Sequence, residues 1–234
     1  MNVLVISCHP DDMEIQCAGT LLKCKERGDN VTVCHVCNGN MGHEVIMPDE
    51  LREIRLAEAQ RSGAIGGFEV CTIDVGDLVV DGASMEQRDK VVAVIRRVKP
   101  DFIITHSPTD YMLDHRAVWK LAYDASFVAT CPHYAMDKGP SCPNVPLFYM
   151  DNGAGLQFEP TEYVDITDVI DKKIEMLRCH ESQLKWLYDH DGIDFAEYTT
   201  SLNRVRGMQC GVQYAEGFRQ EMAWGKVVPR RMLP

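Results

Sequence analysis

His9, Asp11 and Asp12 stand in the run His9-Pro10-Asp11-Asp12-Met13-Glu14, directly after the apolar segment Val3-Leu4-Val5-Ile6. His9 and Asp12 are three residues apart, so one turn of helix can aim an imidazole and a carboxylate at a single point. Those donors suit a zinc ion. Asp11 points elsewhere and is free to accept a proton, which a hydrolytic metal centre needs beside its water. The same two acids would equally serve a helix N-terminus, where carboxylates satisfy free N–H groups and the helix dipole. Much later in the chain, Asp114-His115 offers a second carboxylate and imidazole.

These residues need a frame to hold them, and the composition supplies one. With 234 residues and 45% hydrophobic content, the chain can form one α/β domain over 1–234 with an ample core. A net charge of −11 and a pI near 5.1 argue against nucleic acid and anionic membranes as partners, and favour a neutral or cationic substrate. No basic stretch leads into a long apolar run, so export and membrane insertion are not expected. Of the ten cysteines, Cys8, Cys34, Cys37 and Cys71 fall in strand-like runs and read as small buried hydrophobes in a reducing, cytoplasmic protein. Cys34 and Cys37 form a CxxC, but no second pair follows at finger-like spacing and alternate residues of a strand do not converge.

The hydrophobic pattern predicts strands near residues 3–6, 31–36, 68–73 and 102–105, each followed by a helix. The first helix carries Ile15, Ala18 and Leu22 as far as Gly28; the second runs from Asp49 to Ile65; the third opens on the capping box Ser84-x-x-Gln87; the fourth bears Val118, Leu121, Ala122, Ala125 and Ala129. Residues 130–146 read as a loop or lid. A strand at 147–150, an edge strand at 163–166 and a long helix capped by Thr167 and reaching past Leu184 follow, and the rest to Gly225 reads as broken helix packed on the same domain from about 167 onward.

Four β-α units imply a Rossmann-like, doubly wound, mostly parallel sheet flanked by helices, with its ligand site beyond the strand C-termini where strand order reverses. The first and fourth strands should then be neighbours. His115 becomes a third ligand beside His9 and Asp12, leaving one zinc position open for water. Asp114 can orient a ring nearby or cap its helix, one carboxylate serving both ends. The first β-α turn lacks GxGxxG, and its acids would repel a pyrophosphate.

His9-Pro10-Asp11-Asp12 with Glu14 and Ala18-Gly19-Thr20-Leu21 resembles the signature of the PIG-L/LmbE family of zinc-dependent N-deacetylases. Arg55-Leu56-Ala57-Glu58-Ala59, Pro100-Asp101 through Thr105-His106 to Asp114-His115, His180-Glu181-Ser182-Gln183 and Tyr214-Ala215-Glu216-Gly217-Phe218 are similar to later family segments in the same order. The resemblance implies Zn2+ on His9, Asp12 and His115, a zinc-activated water attacking the amide of an N-acetylated amino sugar, and Asp11 as general base. It further implies Arg55 and Asp77 against substrate hydroxyls, and a homo-oligomer, trimer or hexamer. The plain alternative for Arg55 is a salt bridge to Glu58 or another acid.

One departure stands out. Where the family commonly reads His-Pro-Asp-His, this chain has Met112-Leu113-Asp114-His115, so a histidine credited with helping the oxyanion or the leaving amine is missing. His106, then His180 and His133, are the candidates to replace it. Two other readings therefore stay open: a zinc-containing sugar-binding protein with weakened catalysis, and an amidohydrolase for a non-sugar N-acyl conjugate. Tyr111, Trp119, His133, Tyr134 and Trp186 are candidates for a sugar pocket, set against an ordinary packing role.

Overall fold

In the computed structural model, which describes residues 1–234, the strand-forming runs assemble into one seven-stranded sheet. β1 (Asn2–Ser7), β2 (Asn30–Cys37), β3 (Glu69–Val75), β4 (Phe102–Thr105) and β5 (Leu147–Met150) are parallel, in the order β3-β2-β1-β4-β5. Their period-two side chains divide the core between two faces. Val3, Val5, Val31, Val33, Phe102 and Ile104 pack on one side with α1 (Asp12–Gln16), α2 (Ala18–Glu26) and α6 (Ile170–Leu177). Leu4, Ile6, Cys34, Val36 and Ile103 pack on the other with α4 (Met85–Val98) and α5 (Leu113–Val128). Both faces are covered, which is why these strands are near-continuous apolar runs.

β1 pairs β2 on one side and β4 on the other, so the strand order reverses at β1/β4. That is the expected crevice. α3 (Pro48–Gly66) is the helix of the β2–β3 crossover and ends at Gly67, whose φ of +70° is a left-handed cap that glycine adopts without strain.

Several boundaries differ from the sequence reading. The first helix is two, because Cys17 at φ −148° breaks it between α1 and α2. Glu216 explains the break: its carboxylate accepts the N–H groups of Gly19 (2.9 Å) and Thr20 (2.7 Å), capping α2 from the far end of the chain. Lys173 completes that buried pair at 2.6 Å and also donates to the Ile15 carbonyl. The long helix after residue 167 is likewise two, α6 and α7 (Glu181–Asp191), interrupted at His180; Thr167 does not cap it, and Val169 stands at the N-cap position. α8 (Phe195–Cys210) follows, but Ala215–Gln220 is a strand, β7, rather than helix. It inserts antiparallel between β5 and the edge strand β6 (Glu162–Asp165).

The capping box at Ser84 is half-formed. Ser84 accepts the Gln87 N–H, but Gln87 turns its own carbonyl to Asp81 N–H. Residues 130–146 form an irregular loop held by buried Arg96, whose guanidinium donates to the carbonyls of Ala129, Cys131, Ala135 and Gly139. That loop does not line the crevice, so it is no lid. No helix is long and apolar enough to cross a membrane.

Candidate metal centre and active site

β1 ends at Ser7 and α1 begins at Asp12, so His9 and Asp12 bracket a tight turn in which the Asp12 N–H donates to the His9 carbonyl at 3.3 Å. Asp12 Oδ2 in return accepts the His9 N–H at 2.6 Å. Across the β1/β4 crevice, α5 presents Asp114 and His115 from its first turn. His9 Nδ1 lies 3.3 Å from Asp12 Oδ2, and His115 Nε2 lies 3.2 Å from Asp12 Oδ1. One carboxylate is therefore flanked by two imidazoles, all three largely buried.

The outer nitrogens of both rings face carboxylates. His9 Nε2 is 3.3 Å from Asp114 Oδ2, which also accepts the Leu78 N–H at 2.9 Å. His115 Nδ1 donates to Asp110 Oδ2 at 3.0 Å. Such partners fix the tautomer that leaves the inner nitrogen free for a cation. His115 Nε2 is buried without a hydrogen-bond partner, an orphan that a metal would satisfy. Burial alone would lower both imidazoles, yet the acids outweigh it: Asp114 and Asp12 hold His9 well above its ordinary value, and Asp12 and Asp110 raise His115 to about 9. Burial would raise Asp12, but His115 and His9 hold it well below the carboxylate range. A cluster this anxious for positive charge, built of imidazole and carboxylate donors, fits a divalent cation.

Asp11, the formal N-cap of α1, makes no side-chain cap bond. Its Oδ1 instead accepts from buried Arg55 Nη2 at 2.8 Å. Arg55 therefore pairs with Asp11 and not with Glu58, which binds the backbone and hydroxyl of Ser182 and so ties α3 to α7. Gly39, at φ +77°, passes so close to Arg55 that an added Cβ would sit 2.6 Å from its Cδ. Asp77 lines the crevice as expected, but its two oxygens accept the Gly39 and Met41 N–H groups at 2.8 and 3.0 Å. It builds the loop that covers Arg55.

A cavity of about 360 Å³ opens over this floor. His9, Asp11, Asp12, Arg55, Asp114 and His115 line it together with Gln16, Gln183, Tyr111 and Met112. His106 is absent from the wall. It is fully buried behind His115, with ring centroids 4.0 Å apart, and its Nε2 accepts the Cys8 N–H at 2.8 Å. Burial and the neighbouring His115 push it down to about 3, so it is a neutral prop for His115 and not a proton donor. His180 is buried 3.1 Å from Glu14, which outweighs burial and raises it; His133 is exposed on the Arg96 loop. Neither reaches the cavity. Of the aromatic candidates only Tyr111 lines it; Trp119 packs on the core, Tyr134 bonds Asp89, and Trp186 stands against His43 and His190.

A model of the PIG-L family, GlcNAc-PI de-N-acetylase, matches residues 4–126, from β1 through most of α5. The chain belongs to the PIG-L family. A relative from Thermococcus kodakarensis, diacetylchitobiose deacetylase, is 30% identical over 93% of this chain and 82% of its own length. A 4-oxalmesaconate hydratase from Pseudomonas putida is 27% identical over 93% of this chain and 88% of its own. Among solved structures, the N,N'-diacetylchitobiose deacetylase of Pyrococcus horikoshii superimposes with a TM-score of 0.82 at 25% identity, covering 94% of this chain and 83% of that one. As a PIG-L member with deacetylases for relatives, the chain is an N-deacetylase-type hydrolase.

Proposed function

We propose that the chain is a zinc-dependent deacetylase of N-acetylated amino sugars or GlcNAc-containing conjugates, with His9, Asp12 and His115 as the metal ligands. The observation that carries this reading is the convergence of those three donors on the floor of a cavity whose wall also holds Asp11. A zinc ion on the three donors supplies Lewis acidity and a water of lowered pKa. Asp11, on the wall beside the proposed metal ligands, would act as general base toward the attacking water and return the proton to the departing amine. Arg55 keeps the carboxylate aimed, through the 2.8 Å bond, while both are withdrawn from bulk solvent. Asp110 and Asp114 hold the two imidazoles in register.

Charge separates this reading from hydration of a polycarboxylate, the reaction that the name of the Pseudomonas relative describes. The wall carries Asp11, Asp12, Asp77 and Asp114 against a single arginine, and that arginine is already paired with Asp11. Beyond the metal ion proposed on His9, Asp12 and His115, a substrate bearing several carboxylates finds no unpaired arginine or lysine there, whereas a neutral acetamido sugar finds hydrogen-bonding groups and the apolar surfaces of Ile15, Leu187 and Phe195. With methionine at 112, Tyr111 offers the only hydroxyl on the wall to the developing oxyanion. Acetate release from a panel of N-acetylated mono- and disaccharides, with and without a chelator, tests the proposal. Chelator-sensitive acetate release is expected; no release from any sugar, alongside hydration of 4-oxalmesaconate, overturns it.

A further inference from the structure

Two thiols that the reaction does not use, those of Cys8 and Cys37, form a second donor cluster with His9 and Asp114. Cys8, just past the end of β1, and Cys37, the last residue of β2, bring their Sγ atoms to 3.4 Å, and Cys8 Sγ is 3.7 Å from His9 Nε2. His9 Nε2 is in turn 3.3 Å from Asp114 Oδ2. The four ligand atoms all lie within 4.8 Å of one another. Four donors this close together can reach one cation at bonds of about 2.0–2.3 Å with small side-chain adjustments. Two thiols, one imidazole and one carboxylate are a donor set for a soft divalent cation.

We propose that Cys8, His9, Cys37 and Asp114 form a second, thiophilic metal site, and that its occupation inhibits the enzyme. The first site needs the lone pair of His9 Nδ1, with the proton on Nε2 directed at Asp114. The second needs the lone pair of Nε2 and takes Asp114 as well. A neutral imidazole offers only one lone pair, so a cation at the second site removes a ligand from the first. On binding, the two thiols each lose a proton to solvent and bond the metal as thiolates; nothing is oxidised. Cys8 Sγ also lies within 4.8 Å of the first-site donors, so the two sites share a wall through Cys8 and His9.

The inhibitory consequence rests on the deacetylase reading; the site itself does not, and the test keeps them apart. Cadmium is the probe, added to the zinc-loaded protein while near-ultraviolet absorbance and acetate release are followed in parallel. A thiolate-to-cadmium charge-transfer band saturating at one ion per chain is expected, with activity falling over the same range. Cys37→Ser, which alters no residue of the cavity wall, should keep basal turnover, lose the band and need at least roughly tenfold more cadmium for half-inhibition. Cys71→Ser, which removes the thiol on β3 that lies opposite Cys34, should leave both readouts unchanged. If Cys37→Ser is poorly folded, Cys37→Ala replaces it. Absence of a band in the wild type, or an equal band in the Cys37 variants, overturns the site. A Cys37-dependent band without loss of acetate release overturns only the inhibition.

Discussion

Asp110 is the residue through which the proposed metal centre can be perturbed without touching any of the proposed ligands. Its Oδ2 accepts from His115 Nδ1 at 3.0 Å and its Oδ1 accepts the Met112 N–H at 2.9 Å. Asp110→Asn keeps the shape but leaves one acceptor for two donors. If the amide oxygen stays on Met112, the new NH₂ faces His115 Nδ1–H and drives the proton to Nε2, the nitrogen that should meet the cation. If the oxygen turns to His115, the Met112 N–H is left opposite another donor in a buried setting. Either outcome costs about 1.5–3 kcal/mol, the value of a hydrogen bond to a charged group or of an unsatisfied buried donor. At about 1.4 kcal/mol per factor of ten, metal affinity should fall roughly ten- to hundredfold. Competition against a chromogenic chelator measures it, with circular dichroism confirming that the fold is kept. Affinity within about twofold of wild type would show that Asp110 does not set the His115 tautomer.

Asp11→Asn should retain stoichiometric metal and lose roughly two to four orders of magnitude in kcat, because the proton acceptor is removed while the ligands stay; near-normal turnover in acetate-release kinetics refutes its role. Met112→His, which restores a donor at the cavity wall, should raise kcat at least about tenfold with little change in metal content, and an unchanged or lower kcat would show that Tyr111 or the metal already meets that need. Lys173→Met leaves Glu216 buried with only its two backbone donors, so urea denaturation should show about 3 kcal/mol of destabilisation. A loss under about 1 kcal/mol would mean that the Gly19 and Thr20 N–H groups suffice to hold the carboxylate.

The fold was legible where apolar runs alternate with helical spacing, and so was the β1/β4 crevice, because four β-α units leave few ways to wind a parallel sheet. The meeting of His9 and Asp12 with His115 follows from that topology alone. Local pattern failed wherever a distant residue decides the local structure. Nothing near Cys17 announces a helix break; the cause is Glu216, some two hundred residues later, with its own counter-ion on α6. Residues Ala215–Gln220 carry too little apolar alternation to read as a strand, and become one only because β5 and β6 offer edges on both sides. Asp77 was implied by the family resemblance and His106 as a stand-in for the histidine missing at Met112; Asp77 accepts two amides of the 39–41 loop and His106 Nε2 accepts the Cys8 amide.

Asp110 shows the converse error. It sits in the motif segment but off its matched positions, and its importance appears only when the first turn of α5 swings His115 Nδ1 back onto it. A carboxylate five residues before a candidate ligand histidine, ahead of a helix start, is the signal that would have found it. The CxxC spacing was set aside in the sequence reading. Cys34 and Cys37 do not converge, as strand geometry requires, but Cys37 meets Cys8 across the β1–β2 pair, so the meaningful partner lies on the neighbouring strand and not in the motif. Spacing along the chain identifies ligands only when one element carries both; where the sheet brings them together, strand order and register carry the information.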